Sequence, residues 1–137
     1  MIQFLHPRLP GPGRLFAGPR PTVPFPAAVT ALREAGVTTI ACLLERNGQG
    51  AGLERAYADA GLHLLSFPID DLDVPRSVVA FAAFLREVRA RLAAGESIYL
   101  HCMAGLGRTG MALACLLVLA GEPPATAVAA VRARSRP

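Results

Sequence analysis

The chain of 137 residues predicts an α/β domain, a central and largely parallel sheet flanked by helices on both faces. Three features predict it. Short, continuously apolar runs at 37–44 and 97–100 read as strands buried on both sides, as parallel strands are. Segments of helical period stand between the strands, where an antiparallel sheet would have hairpin turns. A glycine-containing loop at 101–110 joins one such strand to an apolar segment at 111–120 that reads as a helix.

In order along the chain, residues 7–26 are rich in Pro and Gly and are expected to form an irregular N-terminal arm across the domain surface. Within the arm Gly13 and Gly18 bracket Arg14, Leu15, Phe16 and Ala17, a candidate short edge strand. Residues 25–35 are expected as the first full helix, with Pro26 at its start and Gly36 as its stop. A core strand follows at 37–44, apolar apart from two threonines. The loop at 46–52 has no periodicity, a short helix spans 53–60 and closes on Gly61, and 62–67 returns as a strand. The next irregular piece, 68–75, is the most acidic, with Asp70, Asp71 and Asp73. From Ser77 the period becomes helical. Val78, Phe81, Leu85, Val88 and Leu92 recur at steps of three and four, while Arg86, Glu87, Arg89 and Arg91 face elsewhere. This helix ends at Gly95; the strand, the loop and the helix to 120 come next. A Gly-Glu-Pro-Pro break then precedes a last amphipathic helix at 125–133. In such a sheet the binding crevice lies at the carboxyl ends of the strands. Both the 101–110 loop and the loop holding Asp70 and Asp71 leave strands at that end.

The length fits a single domain, 1–137. A composition 53% hydrophobic and 18% charged excludes a disordered chain. The formal charge of +4 suits a phosphorylated or otherwise anionic substrate. Without Trp, and without a basic cluster interleaved with aromatics, the chain does not read as a nucleic-acid binder. Residues 1–8 lack the charged-then-apolar order of a secretion signal, and the apolar run at 111–120 is too short to span a bilayer. A soluble, cytoplasmic, monomeric protein without membrane association is expected. The three cysteines, Cys42, Cys102 and Cys115, are odd in number and show neither disulfide nor zinc-ligand spacing, so neither metal nor cofactor is expected. Cys42 and Cys115 lie in apolar runs and read as small buried hydrophobes. Cys102 stands instead at the end of an element, beside glycines and Arg108.

In the order strand, loop, helix, the backbone N–H groups of Met103, Ala104, Gly105, Leu106, Gly107 and Arg108 can converge on one point at a helix N-terminus, where an oxyanion is readily held. Gly105 and Gly107 can adopt φ values that turn these groups inward, and they leave no side chain in the ligand's way. Arg108 offers a planar fork that matches two oxygens of a phosphoryl group. The positive surroundings stabilise Cys102 as a thiolate, exposed and open to oxidation, which makes it the natural nucleophile. Thr109 can place its hydroxyl near the sulfur. His101 is expected to point back into the structure and order the loop rather than shuttle protons. A nucleotide P-loop would need a Gly-Lys-Ser/Thr ending, which is absent. A cysteine protease would need a distant histidine, and of the two outside the loop, His6 and His63, the latter reads as a packed or edge residue of the 62–67 strand. A leaving alkoxide or phenoxide needs a proton, and the acidic segment can give it. Asp71 is the first candidate and Asp70 the alternate; Asp73 reads as a capping or solvated residue ahead of the next helix. The competing account has all three merely capping and solvating a loop.

Residues 101–110 resemble the signature of cysteine-dependent protein tyrosine phosphatases: histidine-cysteine, five residues, arginine, then serine or threonine. The small dual-specificity branch is most similar. Pro68, Ile69, Asp70, Asp71 and the later Pro75 resemble that branch's general-acid loop, whose register implies Asp71 as the acid. Residues 13–18 and the run Leu43, Leu44, Glu45, Arg46 resemble its early strand and its glutamate-containing loop. The resemblance implies a phosphatase-type P-loop after the last core strand and a metal-independent phosphomonoester hydrolase. In that mechanism Cys102 forms a phosphocysteine, Arg108 and the loop N–H groups bind the phosphoryl oxygens, and Asp71 serves as acid and then base. The variable loop positions Met103, Ala104 and Leu106 carry no lysine, whereas relatives that act on inositol lipids often place basic residues there. A phosphoprotein or a small aryl phosphate is therefore the expected substrate, in a shallow cleft that accepts more than one phosphoresidue. Two other classes compete. A rhodanese-like sulfurtransferase also carries a loop cysteine between strand and helix, but it lacks these flanks and a separate acid loop. A non-catalytic phosphate-binding module would normally have lost the cysteine, the arginine or the acid.

Overall fold

The computed structural model describes residues 2–9, 11–45, 52–70 and 74–134. Asp71, Asp73 and all of the 46–52 loop except Gly52 lie outside the described residues. Five strands, β1 (Ile2–Gln3), β2 (Leu15–Gly18), β3 (Thr39–Cys42), β4 (His63–Ser66) and β5 (Ile98–His101), form one sheet in the order β1-β2-β5-β3-β4. All neighbours are parallel except β1, which runs antiparallel to β2. The helices are α1 (Phe25–Glu34), α2 (Leu53–Asp59), α3 (Val78–Ala93), α4 (Gly107–Leu119) and α5 (Pro124–Ala133). The α/β architecture is the one the alternation of elements predicts.

The three central strands are buried along their whole length, which is why their sequences are continuously apolar rather than alternating. Successive residues still face opposite sides. Ile40, Cys42 and Tyr99 join Val29 and Leu32 of α1 and Leu53 and Tyr57 of α2 in one core. Ala41, Ile98 and Leu100 join residues of α3, α4 and α5 in the other. The chain steps outward from β3 through α2 to β4 and then reverses through α3 to β5. Right-handed crossovers put helices on opposite faces when the direction reverses.

The structure departs from the sequence reading at several elements. The candidate edge strand at 14–17 is instead a central one, β2, shifted by one residue and paired on both sides. The edge position falls to the two-residue β1, too short to leave a pattern. The middle of the 7–26 arm is therefore core, not surface crossing. β3 keeps only four of the eight residues in its apolar run, because Val37, Leu43 and Leu44 are buried outside the ladder. On α3, Val78 is 78% exposed, and Phe84 takes the expected core place beside Phe81 and Leu85. The α3 cap is Ser77, whose hydroxyl accepts the Ala80 N–H at 3.1 Å. Helix α4 begins at Gly107, four residues ahead of its apolar run, so Arg108 and Thr109 belong to its first turn and not to the loop.

Candidate active site

The parallel register aligns Gly18, His101, Cys42 and Ser66 in one row across β2, β5, β3 and β4. Everything that leaves this row arrives at one end of the sheet: Pro19 and Arg20, Cys102, Leu43 to Glu45, and Phe67 to Ile69. Adjacent β3 and β5 feed helices on opposite faces, and their loops part there to open a crevice.

At the end of β5 the two-residue alternation separates His101 from Cys102. His101 turns to the α2 side, fully buried, where Nε2 lies 3.0 Å from the Tyr57 hydroxyl and Nδ1 lies 3.1 Å from the Cys102 carbonyl. A carbonyl only accepts, so Nδ1 carries the proton and Nε2 accepts from Tyr57. Burial pushes the His101 imidazole down to about 4 against the pull of that carbonyl, and the charge of Arg20 pushes the same way. The ring is thus neutral at working pH and holds the Cys102 backbone in place. Tyr99 stacks on it, with ring centroids 5.6 Å apart.

Cys102 faces the other way, 2% exposed, at the floor of the loop rather than exposed as the sequence suggested. Burial disfavours its thiolate. Against burial act the Thr109 hydroxyl, which donates to Sγ at 3.1 Å, the backbone N–H groups of Thr109 and Gly105, and the charge of Arg108. These prevail and hold the thiol below its ordinary value. The N-cap of α4, Leu106, makes no side-chain capping bond, which leaves the helix start to an anion as the partner of its first N–H groups, those of Gly107 and Arg108. Cys42, buried behind the site, is pushed up to about 11 by its own burial and stays a thiol. Cys115 is partly buried and packs against the core.

Gly105 has φ +76, and a Cβ there would meet the Gly18 carbonyl carbon at 2.4 Å, so this position needs glycine for both reasons. Gly107 differs from the expectation. It is the first residue of α4 and has no positive φ, and a Cβ there would meet nothing within 4 Å. Its service is open space. Met103 and Leu106 are exposed at the rim, and the Arg20 N–H ties the Met103 carbonyl at 2.9 Å.

Arg108 is buried, and its Nη1 donates to Glu45 Oε2 and, at 3.0 Å, to the Ile69 carbonyl. One guanidinium thereby gathers the loops after β3, β4 and β5. The sequence reading named the glutamate-containing loop but not this pairing, and it did not single out Tyr57. Asp70 is exposed and paired with Arg76 at 3.3 Å, while Asp71 lies outside the described residues. His63 is an exposed residue of the edge strand β4. Among the described residues no group of three or more His, Cys, Asp or Glu could hold a metal ion, and no helix is long and apolar enough to cross a membrane.

Residues 17–122 match the family described as "Polymorphic toxin system, DSP-PTPase phosphatase". The chain belongs to the DSP-PTPase family of cysteine-dependent protein tyrosine phosphatases. Among curated proteins this DSP-PTPase member is 30% identical over 106 residues to protein tyrosine phosphatase type IVA 2 of Mus musculus, covering 77% of this chain and 61% of the mouse protein. It is 35% identical over 92 residues to the mouse protein tyrosine phosphatase domain-containing protein 1, covering 66% of this chain and 12% of that one. The chain thus spans less than two thirds of either relative. Among solved structures, Tk-PTP in its active form superposes with TM-score 0.78 at 23% identity, over 98% of this chain and 84% of the other. TpbA of P. aeruginosa, a cysteine-to-serine form in complex with pTyr, superposes with TM-score 0.67 at 20% identity, over 96% of this chain and 76% of the other. These two likenesses concern the fold.

Proposed function

We propose that the chain is a phosphomonoester hydrolase, a protein tyrosine or dual-specificity phosphatase that works through a phosphocysteine on Cys102 without a metal. One observation carries the reading. The hydroxyl of Thr109, the backbone N–H groups of Gly105 and Thr109 and the charge of Arg108 all converge on the Cys102 sulfur. A thiolate so held, beside oriented donors for an oxyanion, is the apparatus of in-line attack on phosphorus.

In the first step an S–P bond forms as the bond from phosphorus to the leaving oxygen breaks, and that oxygen takes a proton from Asp71. Water then attacks the phosphocysteine, Asp71 accepts the water's proton, and the thiolate departs with Thr109 at hand. The equatorial oxygens meet Arg108 and the loop N–H groups throughout. Ile69, two residues before Asp71, is docked on Arg108 by its carbonyl, which supports the acid-loop assignment. Asp70 is the weaker candidate because Arg76 engages its carboxylate. The substrate is a phosphorylated protein or a small aryl phosphate; the exposed apolar rim of Met103 and Leu106 suits an aromatic group better than an inositol headgroup. A mechanism that needs a free thiolate needs a reducing compartment, so we place the protein in the cytoplasm and treat it as a monomer.

The test is the pH profile of aryl-phosphate hydrolysis in the presence of a chelator. The wild type should be active, Cys102→Ser should lose activity by several orders of magnitude, and Asp71→Asn should lose the fall on the basic side. An unchanged profile for Asp71→Asn would move the acid to Asp70. Activity with thiosulfate and none with aryl phosphate would give the site to sulfur transfer.

A further inference from the structure

Arg134 closes the C-terminus of α5, twenty-odd residues past the loop, and yet its side chain reaches back to the loop's outer face. Nη2 donates to the Gly105 carbonyl at 3.0 Å and, at a longer 3.4 Å, to the Leu106 carbonyl, which already accepts the Gly110 N–H at 2.8 Å. Nη1 donates to Val131 within its own helix at 2.9 Å, so the guanidinium is fixed at both ends. It lies beside Gly110, where an added Cβ would touch both terminal nitrogens at 3.5 Å.

A trans peptide is planar, and its N–H points opposite to its C=O. Holding the Gly105 carbonyl outward fixes the Leu106 N–H in the opposite direction, and holding the Leu106 carbonyl does the same for the Gly107 N–H. Those two groups are among the N–H groups of 103–108 that the sequence reading assigns to the phosphoryl oxygens. Gly105, at φ +76, also has no side chain with which to hold its own peptide planes. A loop that must present several N–H groups to one anion needs an external restraint on that freedom. Charge-assisted donation to a carbonyl is a strong restraint, and the planar fork spans two acceptors as a lysine could not.

We propose that Arg134 is a positioning residue of the phosphate loop: it sets the direction of the Leu106 and Gly107 N–H groups and so the affinity for the phosphoryl oxygens. The inference rests on the phosphatase reading of the site, and it ties the last helix to that site.

Binding of tungstate, a phosphate mimic, can be followed by its protection of Cys102 from iodoacetamide, with aryl-phosphate hydrolysis measured alongside. Arg134→Gln should weaken tungstate about tenfold, the scale of one hydrogen bond to a charged group, and raise KM more than it lowers kcat. Arg132→Gln, on the exposed side of the same helix turn, should change neither. Arg134→Lys should recover only part of the affinity. Equal tungstate affinity in Arg134→Gln and wild type overturns the proposal, as does an equal loss in Arg132→Gln. If Arg134→Gln does not fold, the Lys variant decides: wild-type affinity in it leaves the fork without a role and also overturns the proposal. Tungstate protection that depends on Arg134, in a wild type that hydrolyses no aryl phosphate, would sink the phosphatase reading and leave this one standing.

Discussion

His101 and Cys102 are neighbours in sequence with opposite environments, and the strand that carries them explains both. One faces Tyr57 and is neutral; the other faces the start of α4 and is held toward the thiolate. Removing the Thr109 hydroxyl with Thr109→Val should raise the thiol's pKa by about one unit, the worth of one hydrogen bond to a charged group. The rate of Cys102 alkylation against pH measures this, and an unmoved midpoint would contradict the role given to Thr109. For His101 the sign is set by a folded value lowered from 6.5 to about 4. The unfolded chain binds the extra proton between these values, so stability is full above about pH 6.5 and falls as pH drops toward 4. The loss approaches about 3 kcal/mol, seen in denaturant midpoints, and His101→Gln should flatten that slope. Cys102, Arg108 and Thr109 could be read from sequence because their spacing is itself chemical. Tyr57 could not, since an aromatic residue on the buried face of a short helix looks like any core residue.

At the level of elements, the loop is shaped by one close approach. Gly105 passes so near Gly18 at the end of β2 that a methyl group has no room, whereas Gly107 stands in open space at the start of α4. Gly105→Ala should therefore displace the loop and cost phosphate affinity at least tenfold, while Gly107→Ala leaves the melting temperature in place. Tungstate protection and thermal melts of the two variants make the comparison; equal behaviour would contradict it. The strand, loop and helix order was legible because β5 and the body of α4 are apolar runs on either side of a glycine-containing stretch. The start of α4 was not, because its first turn faces the site and carries Arg108 and Thr109 instead of core residues. The central place of β2 was hidden for a different reason: its outer neighbour β1 is two exposed residues with no pattern to read.

Across the whole molecule, one row of the sheet collects the loops, and Arg108 links three of them through Glu45 and Ile69. Which strands are adjacent is a long-range fact, and spacing along the chain does not encode it. The sequence therefore proposed the 68–75 segment by its composition and its resemblance, while the bond from Arg108 to the Ile69 carbonyl required the fold. The same holds for Arg134, which meets Gly105 only because α5 packs along α4. The account stands or falls on a covalent bond to one sulfur. With an aryl phosphate whose phenol leaves readily, the first step needs no acid, so Asp71→Asn should accumulate the intermediate. Acid-quenched samples of that variant, digested and weighed by mass spectrometry, should carry a phosphoryl group on the peptide that contains Cys102, and none when Cys102→Ser is added. Release of the phenol with no phosphoryl group on Cys102 at any time would contradict the account.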